Sequence, residues 1–240
     1  MQSELAALPA ALEDAARIAW ENILERSPAP LVEQLRAAVA RKPILDQLPR
    51  VLACSPFVAE LCRRWPRLLL DLLNGSELQD TLDETSFCKN LRYQLAQGEL
   101  EPGVVLRRFR QHHMLRIIWR DLNRLASTLE TTRDVSWLAE ACIEKALAAC
   151  SAELGERFGT PTGKDSGEPQ TLVVIAMGKL GAHELNLSSD IDLIFSYPEG
   201  GATQGGGRSL SNEEFFTRLG RALIAALDVV TAEGFVFRVD

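Results

Sequence analysis

The sequence has 240 residues, enough for one large domain or two modest ones with a buried core. Hydrophobic residues at 46% and charged residues at 25% are ordinary for a globular protein, and a net charge of −7 argues against a general nucleic-acid binder, which carries a basic excess. The opening residues lack a basic start followed by an apolar core. No apolar run approaches the ~18 residues of a membrane span, so neither a signal peptide nor a membrane contact is expected.

Residues 1–154 read as an all-helical domain. Leu, Ala, Trp and Ile recur at helical spacing over 10–24, 31–40, 59–73, 104–129 and 135–153. Prolines 28, 30, 43, 49, 56, 66 and 102 fall mostly where helices start or break. The stretch 104–129 stands out, because six arginines (107, 108, 110, 116, 120 and 124) crowd one helix of an acidic protein. Two readings compete. Some of them face phosphates or an acidic partner, or they form a solvated face paired with nearby carboxylates, which is the expectation here. His112 and His113 have no ligand-spaced partners and read as ordinary helix residues. The four tryptophans read as core anchors. The five cysteines form no C-x-x-C pair and are odd in number, which points to reduced, mostly buried thiols.

Residues 155–170 hold four glycines and two prolines among sixteen positions and read as a linker. The remaining stretch, 171–240, changes period. Residues 171–177 (TLVVIAM) are a short β-branched run, hence a buried strand. Gly178 follows directly, where the backbone must turn and approach a ligand closely. A short helix is expected over 180–185, with His183 on its surface or in a loop. Residues 190–197 then alternate into a second strand. Side chains repeat every two residues in a strand, so Asp190 and Asp192 share one face, roughly 7 Å apart at the backbone. Like charges held that close repel unless a cation sits between them. A hard divalent ion suits them, because it prefers oxygen ligands and often takes only one or two carboxylates.

The glycine-rich 200–207 reads as too flexible for regular structure. Ser211 with Glu214 three residues later forms a capping box that opens a helix, whose apolar stripe is Phe216, Leu219, Leu223, Ala226 and Val230. Residues 235–240 start a third strand with Val236, Arg238 and Asp240 on one face. A charged strand end with nothing after it to cover the sheet suggests an incomplete domain.

The order strand, glycine turn, Asp-x-Asp on a second strand resembles the nucleotidyltransferase superfamily related to DNA polymerase β. The longer string GKLGAHELNLSSDIDLIFSYPEG, with LRRFRQHHMLRIIWRDL upstream and GFVFRVD at the end, resembles the family of bifunctional glutamine synthetase adenylyltransferase/adenylyl-removing enzymes. Lys179 stands where a small residue commonly follows the first glycine of the wider superfamily, and it fits the narrower family. The resemblance implies an α+β fold: the helical domain 1–154, the linker 155–170, and a nucleotidyltransferase domain with a small mixed sheet over 171–240, incomplete at its third strand.

It also implies a cytoplasmic enzyme that uses Mg²⁺ or Mn²⁺ with ATP or ADP, and glutamine synthetase as partner, with a PII signal protein as a further one. Asp190, Asp192 and Asp240 would be the catalytic metal ligands. Gly178 and Lys179 would meet the phosphates. Ser188 and Ser189 would bond phosphate oxygens or only shape the turn, and both readings stay open. Position in the family, rather than any residue, points to removal of AMP from a glutamine synthetase tyrosine by phosphorolysis. Transfer from ATP, or an inactive fragment that only binds, are the alternatives. Another superfamily enzyme acting on a small molecule or an RNA end is a more distant one. A purely helical interaction protein would leave the Asp pair and glycine turn without a role.

Overall fold

The computed structural model describes residues 9–240, so the opening residues read as lacking a signal segment lie outside the described residues. The fold is α+β. Among the described residues eight helices, α1 Ala10–Glu25, α2 Ala29–Val39, α3 Ile44–Cys54, α4 Pro56–Arg64, α5 Pro66–Asn74, α6 Glu84–Ala96, α7 Pro102–Leu122 and α8 Thr128–Phe158, precede the first strand. Then follow β1 Gly159–Gly163, β2 Val173–Ala176, the one-turn helix α9 Gly178–Gly181, β3 Leu193–Ser196, β4 Gly201–Gly205 and α10 Asn212–Asp228. Among the described residues no helix is long and apolar enough to cross a membrane.

The chain forms two compact units, one of Met1–Leu82 with Gln111–Thr131 and one of Asp83–Arg110 with Thr132–Asp240. This division differs from the expected boundary in 155–170. Residues 155–163 of that stretch are the end of α8 and the strand β1, which pairs antiparallel with β4 from Gly159↔Gly205 to Gly163↔Gly201. Of the glycines taken for flexibility, here and in 200–207, Gly159, Gly201 and Gly206 serve close backbone approach instead, and a Cβ on Gly201 would collide with the Thr162 carbonyl oxygen.

In the first unit α1 packs on α3 and α4, and α2 on α5. Prolines open α4 and α5, and Trp65 between them leaves the helical region at φ −131°, ψ 67°, because the α conformation is disfavoured before a proline. The single helix expected over 59–73 is therefore two. The helix expected over 104–129 also breaks. Arg124 adopts φ 56°, and the Leu125 N–H reaches back to the Arg120 carbonyl at 2.8 Å, a left-handed stop. Ser127 then accepts the Glu130 N–H and starts α8. Trp20 and Trp119 are core anchors, and Trp119 Nε1 donates to Gln47 Oε1 at 2.8 Å. Trp65 and Trp137 are only half-buried.

The solvated arginine face is overturned. Arg116 is 0% exposed and Arg120 3%. Arg116 Nε donates to the Glu77 carbonyl at 2.9 Å and its η nitrogen to the Asp80 carbonyl. Arg120 donates to the Leu78 carbonyl at 2.7 Å and to Glu130 Oε1 at 2.6 Å. The two guanidiniums satisfy the carbonyls of the 77–80 turn, which otherwise would be buried without partners. Only Arg108 and Arg124 of the six are exposed. All five cysteines are free, and burial pushes the thiols of Cys62 and Cys142 up to about 12.

Two consequences are measurable. Arg116→Ala removes the donors and leaves the Glu77 and Asp80 carbonyls facing a cavity, so it should lower unfolding free energy by about 2–4 kcal/mol. A loss below about 0.5 kcal/mol in urea titration would contradict the burial argument. The second concerns acid. Burial holds the His113 imidazole down at about 3, against an ordinary 6.5. The unfolded chain therefore binds a proton at His113 that the folded one refuses, and stability falls as pH drops from about 6.5 towards 3. Glu77, held below the usual carboxylate range by its bond from His112, adds a loss in the same direction at the acid end. His113→Leu should flatten the upper part of that slope in denaturant titrations from pH 7 to 4.

Candidate active site

The site lies in the second unit. β2 and β3 pair antiparallel from Val173↔Ser196 to Ala176↔Leu193, and the Met177 N–H extends the ladder to the Asp192 carbonyl at 2.9 Å. Their inner face packs Val174 and Phe195 against Leu172, Phe216 and Leu219 beneath α10. Ser211 caps that helix by accepting the Glu214 N–H, as the capping box requires. Val230, placed on the helix stripe by its spacing, lies beyond the helix end and is 74% exposed. The outer face leaves Val173, Ile175, Met177 and Ile194 more than two-fifths exposed, on the side that carries Asp192.

Gly178 has φ +54°, and a Cβ there would lie 2.8 Å from Asp192 Oδ2. Both constraints require glycine. The short helix starts at this residue rather than at Leu180, and the fully buried Leu180 and Leu185 anchor the turn. α8 grips it from below. Ser136 Oγ accepts the Leu185 N–H at 3.1 Å, and Glu140 pairs with His183 Nε2 at 2.9 Å. His183 itself sits at φ 56°, a conformation costly for a non-glycine residue and held here by its carboxylate partner. Burial raises the Glu140 carboxyl above its usual range, although the His183 contact works against that rise.

Asn186 organises the next corner. Its Oδ1 accepts the Ser188 N–H at 3.2 Å and the Ser189 hydroxyl at 2.8 Å. Lys179 Nζ reaches Ser189 Oγ at 3.4 Å.

The third segment pairs parallel to the entry of β3. Ile191 faces Val239, with the Ile191 N–H donating to the Arg238 carbonyl at 2.9 Å and the Asp240 N–H to the Ile191 carbonyl at 3.0 Å. This register sets Asp190 beside Arg238 and Asp192 beside Asp240, all on the face away from the buried Ile191. The expected strand 190–197 is thus a bridge at Ile191 followed by a shorter strand. The two aspartates end up in different surroundings. Arg238 Nε lies 2.5 Å from Asp190 Oδ1, and Arg238 also donates to the Ser188 carbonyl at 3.0 Å. Among the described residues no three His, Cys, Asp or Glu side chains gather as a metal-binding group. The backbone register brings Asp190, Asp192 and Asp240 to one edge, while the side chain of Asp190 turns to the arginine.

Two arginines that the sequence reading put in solvent hold this third segment. Arg107 is 5% exposed, and it donates to the Val229 carbonyl at 2.6 Å and the Gly234 carbonyl at 2.8 Å. The cation therefore sits at the C-terminal end of α10, where the helix dipole favours it. Arg110 lies over the Phe235 and Phe237 rings, 5.1 and 5.7 Å from their centroids. The crowding of arginines was the available signal for both. Ser136, Glu140 and Asn186 gave none.

The residues that could hold a hard divalent cation are the carboxylates along this edge, beside a glycine whose missing Cβ leaves Asp192 Oδ2 room.

A strand, a glycine turn and a second strand that lines up aspartates on one sheet edge is the arrangement expected of a nucleotidyltransferase fold. Residues 45–240 match the family described as glutamate-ammonia ligase adenylyltransferase, and the chain belongs to it. It is 48% identical over 241 residues to the bifunctional glutamine synthetase adenylyltransferase/adenylyl-removing enzyme of Nitrosococcus oceani, covering 100% of this chain and 24% of that protein. The enzyme of the same name from Pseudomonas aeruginosa is 51% identical over 243 residues, 98% of this chain and 24% of its own. The chain thus spans about a quarter of the length of the curated relatives it matches.

The Gly178 geometry yields a direct test. Gly178→Ala forces a Cβ against Asp192 Oδ2 and a methyl onto a left-handed backbone. It should cost about 1 kcal/mol of stability and weaken Mn²⁺ binding several-fold by calorimetry, whereas Gly207→Ala, with open space around it, should do neither.

Proposed function

We propose that this chain carries the adenylyl-removing chemistry of its family, taking AMP off an adenylylated tyrosine of glutamine synthetase by phosphorolysis. Inorganic phosphate attacks the adenylyl phosphorus, the phosphorus–tyrosyl oxygen bond breaks, ADP leaves, and the tyrosine oxygen ends protonated. What carries the reading is the register that lines Asp190, Asp192 and Asp240 along one edge beside the Gly178 turn. The relatives' names supply the substrate.

In this reading the three aspartates hold Mg²⁺ or Mn²⁺, which when bound stabilises charge on the attacking and leaving oxygens. Gly178 lets the backbone approach the phosphates. Lys179, exposed and steered by Ser189, adds positive charge to them. Ser188 and Ser189 shape the turn through Asn186, and in this reading their hydroxyls bond phosphate oxygens as a second duty. The grips from Arg107, Ser136 and Glu140 keep the three pieces in register, so little reorganisation accompanies the reaction. A cytoplasmic setting and a PII signal protein as regulator belong to the same proposal.

The assay is run in a protein of the relatives' full length. Adenylylated glutamine synthetase with phosphate and Mg²⁺ should release ADP, and Asp190→Asn should cut the rate about a hundredfold or more while leaving the circular dichroism unchanged. Free AMP as product would mean hydrolysis. Labelling of glutamine synthetase from ATP with no ADP release would mean adenylyl transfer instead.

A further inference from the structure

The position beside Asp190 where a cation ligand would belong is taken by a side chain. Arg238 Nε stands 2.5 Å from Asp190 Oδ1, and that oxygen is shut off from solvent without a well-aligned hydrogen bond to it. The contact is therefore an ion pair rather than a directed bond. A second tie fixes the guanidinium, through the Ser188 carbonyl at 3.0 Å. Both side chains are substantially exposed, 57% for Arg238 and 40% for Asp190. Such a pair is weak and exchangeable. The backbone on both sides is fixed by the Ile191–Val239 bridge, so the side chains are free to change partner without moving the strands.

We infer that Arg238 is an exchangeable counter-ion of the site. Without a divalent cation it holds Asp190 turned towards the 188–190 corner, and a cation that takes the Asp190 carboxylate releases the guanidinium. The inference rests on the aspartates being cation ligands. Because the two events share one carboxylate, they are linked reciprocally: the cation weakens the arginine contact by the same factor as that contact weakens cation binding, so a variant without the contact binds the cation more tightly. A merely supporting arginine has the opposite sign, since its loss would disorder Asp190 and weaken the site.

The sign is tested on the 240-residue chain by Mn²⁺ calorimetry, with Mg²⁺ titrations followed through the arginine Nε–H resonances. Arg238→Gln should bind Mn²⁺ about two- to five-fold more tightly than wild type, the size of an exposed ion pair. The Arg238 Nε–H signal, assigned by its absence from that variant, should move towards the free-guanidinium position as Mg²⁺ is added. In Asp190→Asn it should start there and stay. Equal or weaker Mn²⁺ binding by Arg238→Gln, or a wild-type signal unmoved at saturating Mg²⁺, would overturn the exchange while leaving the aspartates as ligands. Mn²⁺ binding that is the same in wild type and Asp190→Asn would overturn the cation reading itself.

Discussion

Both backbone groups of the fully buried Ile191 are committed to one neighbouring segment, its N–H to the Arg238 carbonyl and its C=O to the Asp240 N–H. This short parallel contact decides the geometry of everything chemical around it. A slip of one residue would exchange faces, burying a carboxylate and exposing Ile191. Three residues of bridge are too few to hold themselves. The register survives because the segment is fixed at its other end, where Arg107 ties the Val229 and Gly234 carbonyls and the Val236 and Phe237 N–H groups return to the Leu227 carbonyl.

α7 supplies buried charge to solve a backbone problem in each unit. In the second unit Arg107 satisfies carbonyls at the end of α10. In the first, Arg116 and Arg120 satisfy those of the 77–80 turn. A guanidinium suits this work, because its five donors form a fixed fork and its charge is weakly hydrated compared with an ammonium. Burying it still costs free energy, and burial drags the Arg110 pKa down to about 10. The arrangement is therefore better understood as specifying where two loops lie than as adding stability.

How much of this the sequence disclosed follows from what each residue type can signal. The two-residue alternation around Ile191 and the glycine after an apolar run are local patterns, and the turn and aspartates they pointed to lie along one sheet edge. The capping box at Ser211 was equally local. Its counterpart at Ser127-Thr128-Leu129-Glu130 was present too, but the apolar spacing up to Leu129 read as a continuation of the helix begun at 104. Arg124 in a left-handed turn leaves no compositional mark where glycine would have left one. The linker failed for a related reason: glycine at close strand approach and glycine in a flexible tether look alike in composition. The arginine burial was hidden because its partners are carbonyls of residues far away in sequence, such as Glu77 and Gly234, and carbonyls have no sequence signature.

The grip of α8 on the glycine turn extends the same logic to the site's mobility. Leu185 is tethered through Ser136, which is fully buried and whose hydroxyl also donates to the Thr132 carbonyl at 2.8 Å. His183 is tethered through Glu140, and Leu180 and Leu185 fill the space between. Three kinds of contact thus converge on a turn of fewer than ten residues, two of them through a single helix face, since Ser136 and Glu140 are four apart. The opposite side of the turn, with Lys179, Gly181 and Ala182, stays exposed. In the proposed reaction a turn fixed from below and open above would present its backbone to phosphate without first having to be ordered, and that lowers the entropic cost of binding. Freedom is left to the side chains at the rim, Lys179 and Arg238, whose partners at the surface are weakly held.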